Sequence, residues 1–322
     1  MVSTEGPRPC RWPGFFLGLI ISLMAMLFCG HSLQAQQDPL QSLYLNDKLL
    51  INPAYAGARN TLAATVQYRH QWAGIAQAPR TAVLTVQSPL KNPKLALGFV
   101  LSDDQLGVTR QTSLRGAYAY RIPAGNGRLS LGVQGGVTLH RADLTSLTVF
   151  DESDLLFSLN ENRLLPNAGF GIYYDWAEKA FVSLSAPRLL RGAYLPDGNS
   201  REGRHYFASA GYLAGNGPNV RVRTMALLRA VENAPMQVEG NVALELMRTV
   251  WIGAGIRSNP AVTGQLMVDL PQGLGVGYSY DMDLNTLGDA SRGSHEVFIR
   301  FDLPEGRDTD VASPRRSPHR IF

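Results

Sequence analysis

The chain has 322 residues, of which 45% are hydrophobic and 17% are charged. This hydrophobic share is too high for a disordered protein. The charged share lies below the usual value of about 25%, and the net charge of +4 is too small to indicate a nucleic-acid partner. Its 32 glycines exceed the usual share of about 7%, which favours strands and turns over a helical enzyme.

Residues 1–35 are typical of an export signal that is removed on maturation. Arg8 and Arg11 form a positive n-region, the run 14–29 is apolar, and Ala35 provides a small residue before the predicted cleavage point. The sequence therefore predicts a cleaved N-terminal signal peptide and an exported mature chain.

Cysteine is absent from the predicted mature chain. Cys10 and Cys29 both lie in the signal, so disulfides, zinc thiolates and cysteine nucleophiles are excluded. Lipidation at Cys29 is the weaker interpretation because the bulky Phe28 precedes it. A permanent anchor at 14–29 is also disfavoured, since that run is shorter than the ~20 residues needed to span a membrane.

Residues 36–58 form an N-terminal arm in which strand-like alternation is absent. The arm contains Asn52, Pro53, Ala54, Tyr55, Ala56 and Gly57, and its proline and glycine exclude a long regular element. We expect a structured arm or a small plug at one mouth of the fold. A plain turn that starts the first strand is the alternative.

Apolar residues recur at every second position through residues 59–303. Leu131 and Val133 share one parity, for example, whereas Gly132 and Gln134 share the other. Alternate residues of a strand face opposite sides of a sheet, so one face is apolar and the other is small or polar. The predicted strands are 59–72, 80–88, 94–102, 110–122, 127–141, 167–175, 179–186, 204–214, 219–231, 236–248, 250–258, 262–270, 273–282 and 294–303.

These fourteen segments predict an all-β fold, a transmembrane antiparallel β-barrel over residues 59–303. A secreted β-sandwich would show the same alternation, because it buries its apolar face against a second sheet. An even number of strands in an exported chain without a disulfide favours the barrel, and closure removes the edges that an open sheet must protect. The expected location is the cell outer membrane.

Charged residues fall mainly on the parity opposite the apolar face, where a membrane barrel has its polar lumen. The exceptions, among them Arg257 and His295, lie near strand tips. The candidate lumen charges, which we expect to pair with one another, are Arg221, Arg223, Arg229, Glu239 and Glu245. Aromatic residues near the strand ends of the apolar face predict a membrane girdle of Tyr68, Trp72, Tyr118, Tyr120, Tyr174, Trp251, Tyr278 and Tyr280.

Residues 304–322 differ from the barrel in composition. They are rich in proline, arginine and serine, which predicts a polar, disordered tail. Contact of this basic tail with an acidic partner is a minor alternative.

No specific catalytic motif is found in the sequence. The phosphate-binding Walker loop, the zinc-binding His-Glu-x-x-His and the Gly-x-Ser-x-Gly elbow are all absent. We therefore predict no catalytic residue, no cofactor, no metal site and no enzyme activity. The chemical alternative is an acyl hydrolase on the barrel wall, in which His295 would act with Ser294 or Ser279.

A set of short motifs occurs in a distinctive order along the chain. It comprises Leu49-Leu50-Ile51 followed by Asn52 to Gly57, Arg69-His70-Gln71-Trp72, Tyr118-Ala119-Tyr120, Leu129-Ser130-Leu131-Gly132, Pro166 to Tyr174, Gly277-Tyr278-Ser279-Tyr280-Asp281 and Gly293-Ser294-His295-Glu296. In this order the motifs resemble the PorP/SprF family of type IX secretion system outer-membrane proteins, from about Asp38 to Leu303.

The resemblance implies a non-enzymatic barrel that supports protein secretion and cell-surface anchoring. Its implied cargo is large surface proteins with a C-terminal sorting domain, including the adhesins of gliding motility. Other secretion-system components, among them a periplasmic peptidoglycan-binding protein, and outer-membrane lipid are the further implied partners. A general porin with an open lumen is the first alternative function, and the acyl hydrolase is the second.

Overall fold

The computed structural model describes residues 42–146, 160–177, 179–193, 202–215, 217 and 219–303. The predicted signal at 1–35 and the predicted tail at 304–322 lie outside the described residues. The described strands are β1 Ala63–His70, β2 Arg80–Pro89, β3 Leu95–Leu106, β4 Thr109–Ala124, β5 Gly127–Ala142, β6 Glu161–Trp176, β7 Ala180–Arg188, β8 His205–Ala214, β9 Val220–Val231, β10 Gln237–Leu246, β11 Val250–Arg257, β12 Ala261–Asp269, β13 Leu274–Asp283 and β14 Ser294–Asp302.

The fourteen strands form one closed antiparallel barrel. Each strand pairs with its neighbours in sequence, and β1 closes the ring on β14 from Ala63 opposite Asp302 to His70 opposite His295. The predicted fold class is confirmed, and every predicted strand corresponds to one of these fourteen. The predicted strands end within a few residues of the observed ones except on β6, which begins at Glu161 rather than 167.

The two ends of the barrel differ in their connections. One end carries the start of β1, the end of β14 and short turns, and we call it the terminal end. The opposite end, here the loop end, carries the two longest connections, 143–160 and 189–204. Because outer-membrane barrels have short turns on the periplasmic side and long loops outside, the loop end is assigned to the cell surface.

Helical structure is confined to single turns among the described residues. These are 3-10 turns at Ser42–Leu45, Lys48–Leu50, Pro53–Tyr55, Leu144–Ser146 and Pro271–Gly273 and one α-helical turn, α1, at Thr286–Ala290. None of the described helices has the length and apolar character needed to cross a membrane.

The wall is apolar outside and polar inside. Val133, Ile252 and Val297 on the outer face are 58%, 51% and 47% exposed, whereas the inward Gln67 and Glu296 are 2% and 0% exposed. This arrangement inverts that of a water-soluble protein, and it fits a wall whose outer face meets lipid.

Most of the predicted girdle residues have outward positions. Tyr118, Tyr120 and Tyr174 lie towards the terminal end, and Tyr68 and Tyr280 lie towards the loop end. Tyr278 also faces outward and is 41% exposed. Two bands of outward tyrosines therefore exist, and their role as a membrane girdle stays a prediction.

The two tryptophans of the predicted girdle are placed differently. Trp72 lies in the loop after β1, and its indole Nε1 donates to the Asp283 carboxylate at 3.1 Å. Trp251 faces the lumen and is only 4% exposed, so its prediction as a girdle residue is wrong. The outer face of β11 is formed instead by Ile252 and Ile256, and the placement of Arg257 on the apolar face was wrong for the same reason.

Candidate functional site: the filled lumen

Residues 42–60 run through the inside of the barrel, and we call this segment the plug. Ser42 lies beside Asp281 and Glu296 in the loop-end half of the wall, whereas Arg59 binds Asp302 at the terminal end. The plug therefore crosses much of the lumen. The sequence had suggested instead that this segment lies at one mouth. It is also more than a turn before the first strand, because β1 begins only at Ala63.

The motif Asn52 to Gly57 is buried in the wall of the lumen. Its first residues form a capped turn: the Asn52 side chain accepts from the Ala54 amide at 2.8 Å, and Pro53 takes the first helical position. The Asn52 amide Nδ2 also donates to the Ile172 carbonyl at 2.9 Å and to Ser183 Oγ at 2.7 Å. All six residues are buried, so their contacts are with the barrel itself.

Paired glycines make room for this turn. Gly132 of β5 lies opposite Gly171 of β6. A Cβ added to Gly132 would lie 2.2 Å from the Ala54 amide nitrogen, and one added to Gly171 would lie 1.9 Å from Asn52 Oδ1. The two glycines thus form a recess that accepts the plug backbone, and a side chain at either position would fill it.

Aromatic rings continue the contact beyond the recess. Tyr55 meets Tyr173 edge to face, and Tyr173 stacks on Phe181, with 5.4 Å between ring centroids in both pairs. Lys48 Nζ lies 4.8 Å from the centre of the Phe181 ring and donates to the Leu45 carbonyl at 3.0 Å. Burial, reinforced by nearby arginines, lowers the pKa of Lys48 well below its ordinary value. We call the wall formed by β3–β7 the close-fit side.

The opposite wall holds the plug by charge, and we call β1 and β9–β14 the ionic side. Arg69 binds Asp281 at 2.6 Å and Glu296 at 2.9 Å. Both carboxylates also accept from Ser42: its backbone amide donates to Glu296 at 2.8 Å, and its hydroxyl donates to Asp281 at 2.7 Å. The first described residue of the plug is therefore fixed to both carboxylates that Arg69 binds.

A second network of side chains on the ionic side contacts the plug at two places, Arg59 and Asn46. Asp302 binds Arg59 of the plug and Arg300, and Arg300 binds Asp269 at 2.6 Å. Asp269 accepts from the Trp251 indole at 3.1 Å. The network continues through Arg223. Its guanidinium carbon Cζ lies 4.3 Å from the centre of the Trp251 ring, and its Nη2 donates to Asn46 Oδ1 of the plug at 3.3 Å.

The five predicted lumen charges are all buried in the lumen wall, and each is less than 9% exposed. Arg221 and Glu245 form a salt bridge with each other. Glu239 instead binds Arg257 at 3.0 Å, and Arg223 stacks on Trp251. The expectation that these charges pair with one another is thus met by Arg221 and Glu245, whereas Glu239 and Arg223 contact groups that the sequence did not single out as lumen charges.

The principal ligands of the plug were missed as site residues. None of them was predicted as a lumen charge, although Arg69, Asp281 and Glu296 stand in the short motifs of the sequence. Their charge at inward positions was the available signal. The partners could not be inferred, because Ser42 and Glu296 are 254 positions apart in sequence and Arg59 and Asp302 are 243 positions apart.

A vestibule remains between the plug and the loop end. It is a cavity of about 110 Å³ whose floor is formed by Tyr44, Leu50 and Ile51 of the plug. Its walls come from β2–β4 and β7–β9 close to their loop-end limits.

The residues suggested for hydrolysis do not form a site. His295 lies on the outer parity of β14, and its Nδ1 bonds to the Tyr278 hydroxyl at 2.8 Å. Ser294 and Ser279 are buried on the inner parity. Because the wall separates the two faces, neither serine can pair with this histidine. Within the described ranges, the structure has no group of three or more potential metal ligands suited to a metal ion.

The chain matches a known protein family over most of its length. The family model for the type IX secretion system membrane protein PorP/SprF matches residues 33–301, which contain both the plug and the barrel. No curated protein matches this chain.

Solved outer-membrane structures are among those that resemble it at low identity. The outer membrane protein Omp33 of Acinetobacter baumannii is 10% identical, with a TM-score of 0.41, over 76% of this chain and 99% of that chain. The CymD monoaromatic hydrocarbon channel is 11% identical, with a TM-score of 0.46, over 84% and 95%. A TodX monoaromatic hydrocarbon channel mutant is 10% identical, with a TM-score of 0.45, over 81% and 92%.

Proposed function

Since this chain belongs to the PorP/SprF family of type IX secretion system membrane proteins, we propose that it supports export and cell-surface attachment of cargo with a C-terminal sorting domain. Gliding adhesins are one such class of cargo. In this proposal the protein acts as a closed, non-enzymatic anchor in the outer membrane. The cargo contacts the loop end, and other secretion-system components, such as a periplasmic peptidoglycan-binding protein, contact the terminal end.

The observation that carries the proposal is the plug and its double attachment. A diffusion channel needs an unobstructed polar lumen, whereas here the plug is bound to the glycine recess on one side and to buried ion pairs on the other. Releasing it would expose buried charges and break close packing at the same time. A rigid, filled barrel is suited to holding a partner and poorly suited to conducting solutes.

Deletion of the gene tests the secretion role directly. We expect surface proteins with the sorting domain to disappear from intact cells, as measured by protease shaving and quantitative mass spectrometry. Complementation with the wild-type gene should restore them, and outer-membrane proteins without that domain serve as the internal control. Unchanged amounts of every protein with the sorting domain at the surface would refute the proposal.

Conductance in planar bilayers separates an anchor from a general porin. We expect the purified wild-type protein to show no stable conducting steps, because the plug fills the lumen. A variant that lacks residues 42–58 should conduct, provided that it still migrates as a folded barrel on unheated gels. Steady ohmic conductance of the wild type would instead support the porin alternative.

A further inference from the structure

The barrel wall has a step at its loop end, between β6 and β7. β6 pairs with β5 along its whole length, Glu161–Trp176. On its other side it pairs with β7 only from Phe170, opposite Ala186, to its end. The start of β6 therefore projects beyond β7 towards the cell surface. We call residues 162–166 the β6 edge, and among the described strands none but β5 pairs with it.

The direction of the backbone groups at this edge follows from one hydrogen bond. The Leu189 amide, just after β7, donates to the Ala168 carbonyl at 3.0 Å, so this carbonyl points away from β5. Because backbone groups alternate in direction along a strand and the register with β5 is unbroken, those of Asn162, Leu164 and Pro166 also point away from β5. The β6 edge thus offers the N–H groups of the first two residues and the carbonyls of all three, since proline has no N–H.

The described part of the connection after β7 packs on the inner face of β6 and not on this edge. A Cβ added to Gly192 would lie 2.8 Å from the Leu165 side chain. Leu165 is 5% exposed and has the inner parity of β6, whereas Leu164 on the outer face is 66% exposed. The described loop therefore leaves the β6 edge open.

The β6 edge lies where the apolar outer face of its strand ends. The outward residues of β6, counted from the terminal end, are Trp176, Tyr174, Ile172, Phe170, Ala168, Pro166 and Leu164. The next outward residue is the polar Asn162, which lies opposite Arg141 of β5. Near the hydrocarbon boundary, backbone groups without a partner carry a free-energy cost, which an added strand would remove.

A second copy of this barrel is not suited to the edge. The edge opens above β7 of its own wall, so the wall of a second barrel at the same depth in the membrane would collide with β7. Pro166 also lacks a donor that edge-to-edge pairing of two such strands would use. An occupant must instead reach the edge from the cell surface as an extended segment.

We propose that the β6 edge binds an extended segment of the sorting domain of an exported surface protein, which adds as a strand beside β6. Hydrogen bonds to the backbone of the edge supply affinity, and neighbouring side chains supply preference. Next to Leu164 and Pro166 the segment presents apolar side chains. The identification of the occupant as cargo rests on the proposed secretion function, whereas the open edge does not.

Charge at one end of the edge favours an acidic residue in the segment. Arg141 is exposed on the outer face, and no described carboxylate forms a salt bridge with it. An added strand would lie two spacings of about 4.8 Å from β5, a distance that an arginine and a glutamate side chain span together. The segment therefore carries its acidic residue beside Asn162.

Proline substitution tests the edge in cells, because it removes one N–H and leaves the ladder with β5 intact. Leu164→Pro removes the central donor, whereas Leu164→Ala shortens the same side chain and keeps that donor. We expect sorting-domain proteins at the surface, measured by protease shaving and mass spectrometry, to fall about tenfold or more in Leu164→Pro and less than about threefold in Leu164→Ala. Both variants must migrate as folded barrels on unheated gels. Wild-type surface amounts in a folded Leu164→Pro variant would overturn the proposal.

Amide exchange of the purified full-length protein decides even if the proline variant fails to fold. The probe is the purified C-terminal sorting domain of a surface protein from the same cell. We expect this domain to slow exchange at Asn162 and Leu164 about tenfold or more, and to leave Arg163 and Leu165, whose N–H groups face β5, nearly unchanged. Exchange that the domain does not slow would overturn the proposal. Amides of the edge that are already slow in the protein alone would also overturn it, because the chain itself or a second copy would then cover the edge.

The acidic preference has a smaller expected effect. Arg141→Gln should weaken binding of the sorting domain about two- to fivefold, and added salt should reduce the difference. The matched control is Arg80→Gln, an exposed arginine at the loop end of β2 and remote from the edge. Equal binding by wild type and Arg141→Gln would overturn the acidic preference.

The outcomes of these experiments and of the gene deletion are distinguishable. Loss of surface proteins on deletion, together with wild-type amounts in Leu164→Pro, would refute the edge alone. Slowed exchange at the edge with the sorting domain, together with unchanged surface proteins on deletion, would keep the binding site and refute the secretion role.

Discussion

The plug is held by close packing on one side of the lumen and by charge on the other. On the close-fit side, the backbone of Ala54 enters the recess between Gly132 and Gly171, where there is no room for a methyl group. On the ionic side, Ser42 and Arg59 bind buried carboxylates of the wall. The same segment is thus held by two kinds of interaction, of which one depends on shape and the other on charge.

The difference shows how a filled barrel can specify one position for its plug. Close packing is sensitive to shape, because a displaced backbone would collide with the wall. Buried ion pairs are sensitive to loss of a partner, because the remaining charge is left in a site of low dielectric. We therefore expect the two sides to respond to different substitutions.

The largest effect is expected on the ionic side from Arg69→Met. This change leaves Asp281 and Glu296 buried without the cation that binds both. Removing one partner of a buried pair costs about 3–5 kcal/mol, so the free energy of unfolding should fall by that amount. Urea unfolding of the barrel in lipid vesicles, followed by tryptophan fluorescence, measures it.

A triple variant shows whether the uncompensated charge is the cause. Combining Arg69→Met with Asp281→Asn and Glu296→Gln removes both carboxylate charges together with the cation. We expect most of the lost stability to return, since replacing a whole ionic group by neutral side chains is often nearly neutral. A triple variant no more stable than Arg69→Met would show that the contribution of Arg69 is packing and not charge.

The next largest effect is expected on the close-fit side from Gly132→Ala. The new methyl group would lie 2.2 Å from a backbone nitrogen of the plug, which cannot rotate away as a side chain can. Overpacking of this kind costs about 1–3 kcal/mol, and displacement of the plug should also raise bilayer conductance. The matched control is Gly116→Ala, where the added group meets nothing within 4 Å. Equal stability of the two variants would exclude the recess as a determinant of plug position.

The sequence was sufficient to predict the barrel wall because alternation is local. Each wall residue faces either lipid or lumen, so Leu131 and Gly132 reveal their sides by type alone. The inference fails on β11, where Trp251 is a large aromatic residue on the inner face. An aromatic ring is compatible with either face, and in the structure this one lies inside the lumen against Arg223.

The site was much less predictable than the wall. The motif beginning at Asn52 was recognisable as distinctive, but its contacts with Ile172 and Ser183 lie 120 and 131 positions away in sequence. Alternation along a strand carries no information about contacts between residues so far apart in sequence. Gly132 and Gly171 likewise look like ordinary small residues of a lumen face until the plug backbone is seen between them.

A smaller effect is expected from Asn52→Ala, which keeps the close fit but removes polar contacts. The variant loses the cap on the Ala54 amide and the bonds to Ile172 and Ser183. Loss of a helix-capping side chain together with buried hydrogen bonds should lower the free energy of unfolding by about 1–2 kcal/mol. Asn52→Asp is the informative partner: it keeps the cap acceptor and places a charge at a position where the amide nitrogen donated. If both variants were as stable as wild type, the turn would be held by packing alone.

The smallest effect is expected from Trp251→Phe, and it tests which face of the wall this residue occupies. Phenylalanine keeps a ring beneath Arg223 but cannot donate to Asp269, so about 1 kcal/mol of stability should be lost. The control is Trp176→Phe on the outer face, where the indole is 59% exposed and little change is expected. Quenching by brominated lipid gives the second measurement, because Trp176 should be quenched and Trp251 protected by the wall. Strong lipid quenching that disappears in Trp251→Phe would show that this side chain faces the membrane. It would then contradict the network that joins Arg59 to Asn46 through Trp251.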